Sequence, residues 1–243
     1  MIWSENKKVT PHDIDINDVL SASGALRYMQ DAAYFQMMNN PPSMLDLRRD
    51  GKIFLLSRVS MNIYAPMRVG EELVSESWAC ESKGVSFLRC CRLMRGEETV
   101  AELSSVWALK DAVSGRLLKI EEYGQSYDNH DPLTLDAPSR VRVPRDATLK
   151  LVGEYTVNYN DCDLNMHINN TKYPDILCGF VPDMRGKRVA KISISYSHEA
   201  PLGETVKVYI ARGEEDDSYY FRTVRADGQV NVEAYLVLDD IEG

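Results

Sequence analysis

"APMRVGEELV", residues 65–74, and "APLGETVKV", residues 200–208, are near-copies of one turn-and-strand unit, each with a glycine, Gly70 or Gly203, just ahead of an alternating run. A second pair of turn glycines, Gly96 and Gly228, follows, and the partners stand 133 and 132 residues apart. A register that holds from one turn to the next points to duplication of a whole supersecondary unit.

The flanking sequence fills in that unit. Between Ser21 and Asn39 the apolar residues Ala22, Ala25, Leu26, Met29, Ala33 and Met37 recur at helical spacing, and Pro41-Pro42 cannot continue the run, so one long amphipathic helix is predicted. From Phe54 to Asp111 the period becomes two. Val59, Met61 and Ile63 alternate with polar partners, as do Val74, Trp78 and Cys80, then Phe87, Cys91 and Leu93, then Leu103, Trp107 and Leu109, with turn residues between the runs. The second half repeats the order: a short strand at Tyr155, Val157 and Tyr159, a helix-like segment over about 169–180, and strands around Ile192, Val206, Phe221 and Val232, with the hairpin dipeptide Asp227-Gly228. The predicted organisation is a first repeat over 1–125, a linker over 126–150 and a second repeat over 151–243.

With 243 residues and 44% hydrophobic content the chain can bury a substantial core. A net charge of -9 argues against a nucleic-acid or anionic-membrane partner, which needs a sustained basic surface. No signal-length or membrane-length apolar run occurs, which predicts a cytoplasmic protein. The five cysteines, Cys80, Cys90, Cys91, Cys162 and Cys178, form no C-x-x-C pair, so reduced thiols are expected, with no metal or cofactor.

The duplication extends to a loop. "DIDINDV" at 13–19 precedes the first helix as "DCDLNMH" at 161–167 precedes the second; Asp13, Asp15 and Asn17 have counterparts in Asp161, Asp163 and Asn165, whereas Val19 stands where His167 does. Only the second copy keeps a titratable base. Alternation turns Asp163, Asn165 and His167 to one side of an extended segment and Cys162 to the other, and Asn169-Asn170 supplies a capping amide for the helix that follows. A calcium loop is excluded: Met166 stands where glycine is required and Lys172 where a bidentate glutamate is required. Turn formation by Asp and Asn explains the spacing as well as chemistry does.

"NYNDCDLNMHINNTKYPDIL" at 158–177 resembles the signature of the acyl-ACP thioesterases, which release fatty acids from acyl carrier protein. "LRYMQDAAYF" (26–35), "LLSRVSMNIYAPMRVGEELVSESW" (55–78) and "SVWALKDAVSGRLLKI" (105–120) are similar to that family's N-terminal repeat, and "KISISYSHEAPLGE" (191–204) to the strand bearing its acidic residue. The resemblance implies an α+β tandem (double) hot dog fold, two antiparallel sheets each wrapped around a long helix. It also implies a catalytic set of Asp163, Asn165, His167 and Glu199, with acyl carrier protein as partner. Ala200 occupies the place where many plant members have a cysteine, so no cysteine nucleophile is available there.

On this reading Glu199 and His167 activate water, or Glu199 attacks as a covalent nucleophile. Asn165 and N–H groups at the start of the second helix hold the carbonyl, and Asp163 orients His167. Strict alternation along Lys191–Glu199 groups Glu199 with the serines and His198 with Ile192, Ile194 and Tyr196, so only a bulge or bend before Pro201 brings Glu199 into the site; His198 is its rival. Met29, Met37, Met38, Phe54, Trp78 and Trp107 are candidates for an acyl tunnel. Arg140, Arg142, Arg145 and Lys150, or Arg185, Lys187 and Arg188, are candidates for a basic docking patch. The duplication forms an internal pseudo-dimer, compatible with further association into a homodimer. The competing functions are an acyl-CoA thioesterase, a non-catalytic acyl-binding module and a dehydratase.

Overall fold

A computed structural model describes residues 1–123 and 129–241. The first repeat contains β1 (Trp3–Lys8), α1 (Ala22–Met38), α2 (Met44–Arg49), β2 (Lys52–Ile63), β3 (Glu72–Ala79), β4 (Phe87–Arg95), β5 (Glu98–Asp111) and the two-residue β6 (Leu117–Leu118). The second contains β7 (Lys150–Thr156), α3 (Tyr173–Cys178), β8 (Lys187–Tyr196), β9 (Thr205–Arg212), β10 (Ser218–Val224) and β11 (Val230–Asp240). The expected boundary at 125/126 lies outside the described residues.

The α+β tandem arrangement is present, with two corrections, the first being that the two antiparallel sheets are halves of a single one. Among the described residues the order is β1-β3-β4-β5-β2-β8-β11-β10-β9-β7, with β6 on β5, and the halves join where β2 pairs antiparallel with β8, Ser60 opposite Ser193. A second correction concerns the helices. α1 runs 17 residues, started by Ser21, whose side chain accepts from Gly24 N, whereas α3 has only six, preceded by a 3-10 turn at Asn170–Lys172. Pro174 sits in the first turn of α3 and Gly179 caps its end, and Phe180 and Val181 continue as turns, so the periodic run beyond Cys178 is not helical. α3 packs beside α1, where Asp175 N donates to Ser23 Oγ at 3.0 Å. One core cluster runs through both halves, from Leu26, Met29 and Leu103 to Leu177, Ile192 and Phe221.

Residues 129–143 cross the back of the sheet. His130 N bonds Ala79 O (3.0 Å), Trp78 Nε1 donates to Asp131 O (3.1 Å), Ala137 N bonds Asn62 Oδ1 (3.1 Å), Ser60 Oγ donates to Pro138 O (2.7 Å), Val141 N bonds Ser195 Oγ (3.1 Å) and Val143 N bonds Glu233 Oε1 (3.3 Å). Ala137, Val141 and Val143 are buried, so this polar-looking stretch is a strap that covers the outer face. Strands under it are buried on both faces. Trp78 and Cys80 pack there with Cys90 and Leu133, while Ser75 and Ser77 of the same strand are buried on the α1 side.

No helix among the described residues is long and apolar enough to cross a membrane.

Candidate functional site

The two copies of the loop superimpose bond for bond. Asp15 N bonds Val19 O at 2.9 Å as Asp163 N bonds His167 O at 2.9 Å; Asn17 N bonds Asp15 Oδ1 at 2.8 Å as Asn165 N bonds Asp163 Oδ1 at 2.8 Å. Leu20 N reaches Met67 O (2.7 Å) as Ile168 N reaches Ala200 O (3.0 Å), and Gly70 N reaches Val9 O as Gly203 N reaches Val157 O, both at 2.9 Å. Gly70 and Gly203 have φ of 89° and 84°, which L side chains rarely adopt, so glycine is required at both turns. Asp18 and Met166 take φ of 60° and 64° in the same place. The left-handed residue belongs to the loop itself, because the copy without a histidine has it too.

The copies differ in what their side chains meet. Asn17 is committed to the fold: its Nδ2 donates to Met184 O (2.8 Å) and Lys187 O (3.0 Å), and its Oδ1 accepts from Gly186 N (2.9 Å). Asn165 is exposed, and its Nδ2 lies 3.3 Å from Asp163 Oδ2. Val19 is buried, whereas the His167 ring is partly open and its Nδ1 lies 3.2 Å from Glu199 Oε2. Asp163 meets Asn165 through both of its oxygens, so its carboxylate orients the amide instead of the imidazole, a correction to the expected pairing. Asn169 accepts from Thr171 N and Oγ1 at 3.0 and 2.9 Å, the cap expected of it.

Glu199 reaches His167 because β8 ends in a two-for-one step: Ser197 N and His198 N both donate to Asn231 O, at 2.9 and 3.2 Å. Two residues facing one reverse the parity of those that follow and carry Glu199 out of the serine face. His198, the rival, holds Val230 O with its Nδ1 at 2.8 Å. The signal for the bend was the clash between alternation and Pro201. Nothing local signalled Asn231.

A cavity of about 740 Å³ lies between α1 and the first-repeat strands, and its lining extends to Asn169 and Thr171, two and four residues past His167. Met37, Phe54 and Trp107 line it as expected. Met29 is wholly core and Trp78 sits beneath the strap, so neither is a wall residue. Phe54, Phe87 and Tyr123 stand edge-to-face in its lining, with centroids 5.3 to 5.5 Å apart. A smaller cavity of about 170 Å³ occupies the twin position, lined by Asp15, Val19, Ser21, Asp175 and Cys178. Burial raises the pKa of both carboxyls there, and burial with the two nearby carboxylates raises the Cys178 thiol to about 12.

Of the basic candidates, Arg185 pairs with Asp183, Lys187 with Asp217 and Asp240, and Arg188 with Asp239, so that cluster is neutralised. Arg140, Arg142, Arg145 and Lys150 are exposed.

Comparison with known proteins bears on the family and the fold. The profile of the Acyl-ACP thioesterase C-terminal domain matches residues 145–237. The chain is 21% identical over 219 residues to a chloroplastic palmitoyl-acyl carrier protein thioesterase of Arabidopsis thaliana, covering 82% of this chain and 52% of that protein. A Gossypium hirsutum protein of the same description is 21% identical over 188 residues, covering 71% and 45%. The chain thus spans about half the length of the curated relatives it matches. Among solved structures, an acyl-ACP thioesterase from Bacteroides thetaiotaomicron has a TM-score of 0.86 at 17% identity, covering 98% of both chains. A 12:0-ACP thioesterase from Umbellularia californica has 0.82 at 16%, covering 98% of this chain and 97% of that one. Residues 145–237 thus match the Acyl-ACP thioesterase C-terminal domain, in a chain that has the double hot dog fold of the solved acyl-ACP thioesterases.

Proposed function

We propose that this protein is a cytoplasmic thioester hydrolase that releases fatty acid from acyl-acyl carrier protein. The observation that carries the reading is the His167–Glu199 contact at 3.2 Å, beside a loop whose next residues line a cavity of about 740 Å³. A nucleophile-activating pair and a roomy, partly apolar cavity are what thioester cleavage of an acyl chain needs. The names of the relatives above favour the carrier-protein form of the substrate.

In this reaction His167 and Glu199 take the proton of the attacking water. The Asn165 amide, held by Asp163, receives the charge that develops on the carbonyl oxygen. The proton then passes to the departing phosphopantetheine thiolate. The acyl chain lies along Met37, Phe54 and Trp107. Each methylene contributes about 0.8 kcal/mol, so the depth of the cavity, with Phe54, Phe87 and Tyr123 in its lining, sets the longest chain accepted. Exposed Arg140, Arg142, Arg145 and Lys150 are the docking candidates for an acidic carrier.

The test is a panel of acyl-ACPs of graded length, with matched acyl-CoAs, on the wild type and on Asn165→Ala, His167→Ala, His198→Ala and Glu199→Ala. His167→Ala and Glu199→Ala are expected to lose about 100-fold or more in kcat, and His198→Ala to stay within a few-fold of wild type. Full activity of Glu199→Ala with a dead His198→Ala overturns the site assignment. Faster turnover of the CoA esters overturns the substrate assignment, and fatty-acid binding without cleavage overturns the enzyme.

A further inference from the structure

We infer that Asn231 is a positioning residue for the acidic member of the site: its backbone and side chain together fix the two-for-one step that turns Glu199 toward His167. The inference rests on the catalytic reading of that pair.

Both backbone groups of His198 end on this one residue. His198 N donates to Asn231 O at 3.2 Å, shared with Ser197 N at 2.9 Å, and Asn231 Nδ2 donates to His198 O at 2.5 Å. The amide is itself held. Its Nδ2 also donates to Tyr173 Oη at 2.9 Å, and its Oδ1 accepts from Thr223 Oγ1 at 2.8 Å. Thr223 Oγ1 in turn accepts from Val232 N at 3.1 Å. Asn231 has no exposed surface, and Thr223 and Tyr173 are 1% and 3% exposed. An amide buried this deeply is tolerated only when satisfied, and satisfied it permits one arrangement of the chain around it. Glu199 is the next residue, and Ala200 O ties the segment to the histidine loop through Ile168 N at 3.0 Å.

The duplication supplies an internal control. Ile63 pairs with a residue of the neighbouring strand, Ala101, as Tyr196 pairs with Val232, which sets Val100 in the place of Asn231. Val100 O takes Tyr64 N at 2.9 Å, and the position matching Glu199 is Pro66. The copy with valine at the node has neither the histidine nor the glutamate. The copy with asparagine has both.

The experiment compares Asn231→Val, which installs the first-repeat residue, with Asn231→Val/Tyr173→Phe, which also removes the phenol hydroxyl that loses its amide partner and leaves Thr223 Oγ1 on Val232 N, so that the fold tolerates the change. Both are expected to lose 10-fold or more in kcat on acyl-ACP with KM within twofold, and to add nothing to the loss already caused by Glu199→Ala. The His167 ring resonances in NMR, read without substrate, are expected to move toward those of Glu199→Gln. If the double variant is folded, keeps kcat within threefold and leaves those resonances unmoved, the inference is wrong; so too if Asn231→Val lowers kcat further in the Glu199→Ala background. The resonance measurement stands even if no acyl-ACP is cleaved, which separates failure of this inference from failure of the proposed function.

Discussion

Asp163 and Asp15 hold the same place in two copies of one loop, yet their surroundings have driven them apart. Asp15 faces the small cavity, where burial raises its pKa more than backbone N–H bonds from Asn17 and Val19 lower it, and the Asp175 charge adds to the rise. Asp175 is likewise raised by burial, against the pull of Ser23, Arg27 and Lys172. Both carboxyls hold protons more tightly in the folded than in the unfolded chain. Folding therefore takes up protons between the unfolded and folded pKa values, and stability falls as pH rises through that interval. Asp175→Asn is thus expected to raise Tm at pH 8 and to lose that advantage as pH is lowered toward 4, measured by thermal unfolding across the range. At this scale the residue types were readable because Asp163, Asn165 and His167 alternate within seven residues. The carboxylate partner of Asp163 and the node at Asn231 were not. Both depend on neighbours brought in by the fold, and Asn231 reads locally as one more polar residue in a strand.

The elements follow their periodicities where one face is wet and escape them where neither is. α1 was legible because its apolar positions and the Ser21 cap agree, a cap worth about 1 kcal/mol. β1 was missed: "WSENKK" has one large apolar residue and is a strand only because β3 offers an edge. Trp78 was assigned to the wrong layer because the strap makes the outer face as dry as the inner one. The first turn of α1 illustrates how tertiary contact overrides propensity. Alanine in place of Gly24 gains about 1 kcal/mol of helix propensity. Its Cβ, however, would stand 2.6 Å from Leu20 Cδ1 and 3.0 Å from Asp13 O, a carbonyl already bonded to Ser21 N. Leu20 can turn aside; the carbonyl cannot without opening the loop. Overpacking of this kind costs about 1–3 kcal/mol, so Gly24→Ala is expected to be destabilising by about 1 kcal/mol net in urea unfolding.

Over the whole molecule the halves share a sheet, a core cluster and the strap, so neither has a boundary along which it can come away alone. The three tryptophans, Trp3, Trp78 and Trp107, all lie in the first half. Their fluorescence therefore reports one half, while far-UV circular dichroism reports both. The two signals are expected to change at the same urea midpoint, with one transition; separated midpoints would mean that β2–β8 pairing and the strap do not couple the halves. The duplication was legible because Gly70 and Gly203 keep step with Gly96 and Gly228. The merging of two sheets into one, and the path of residues 129–143 behind it, were not, since main-chain pairing between distant strands leaves no trace in local composition.

Asn17 holding the 184–187 turn has a consequence for how such a chain changes over generations. In an assembly of two identical subunits every substitution lands twice, and a loop needed for chemistry in one place cannot be turned into masonry in the other. Joining the copies in one polypeptide lifts that coupling: one amide is left open to the outside and its twin is walled in, each free to drift without harming the other.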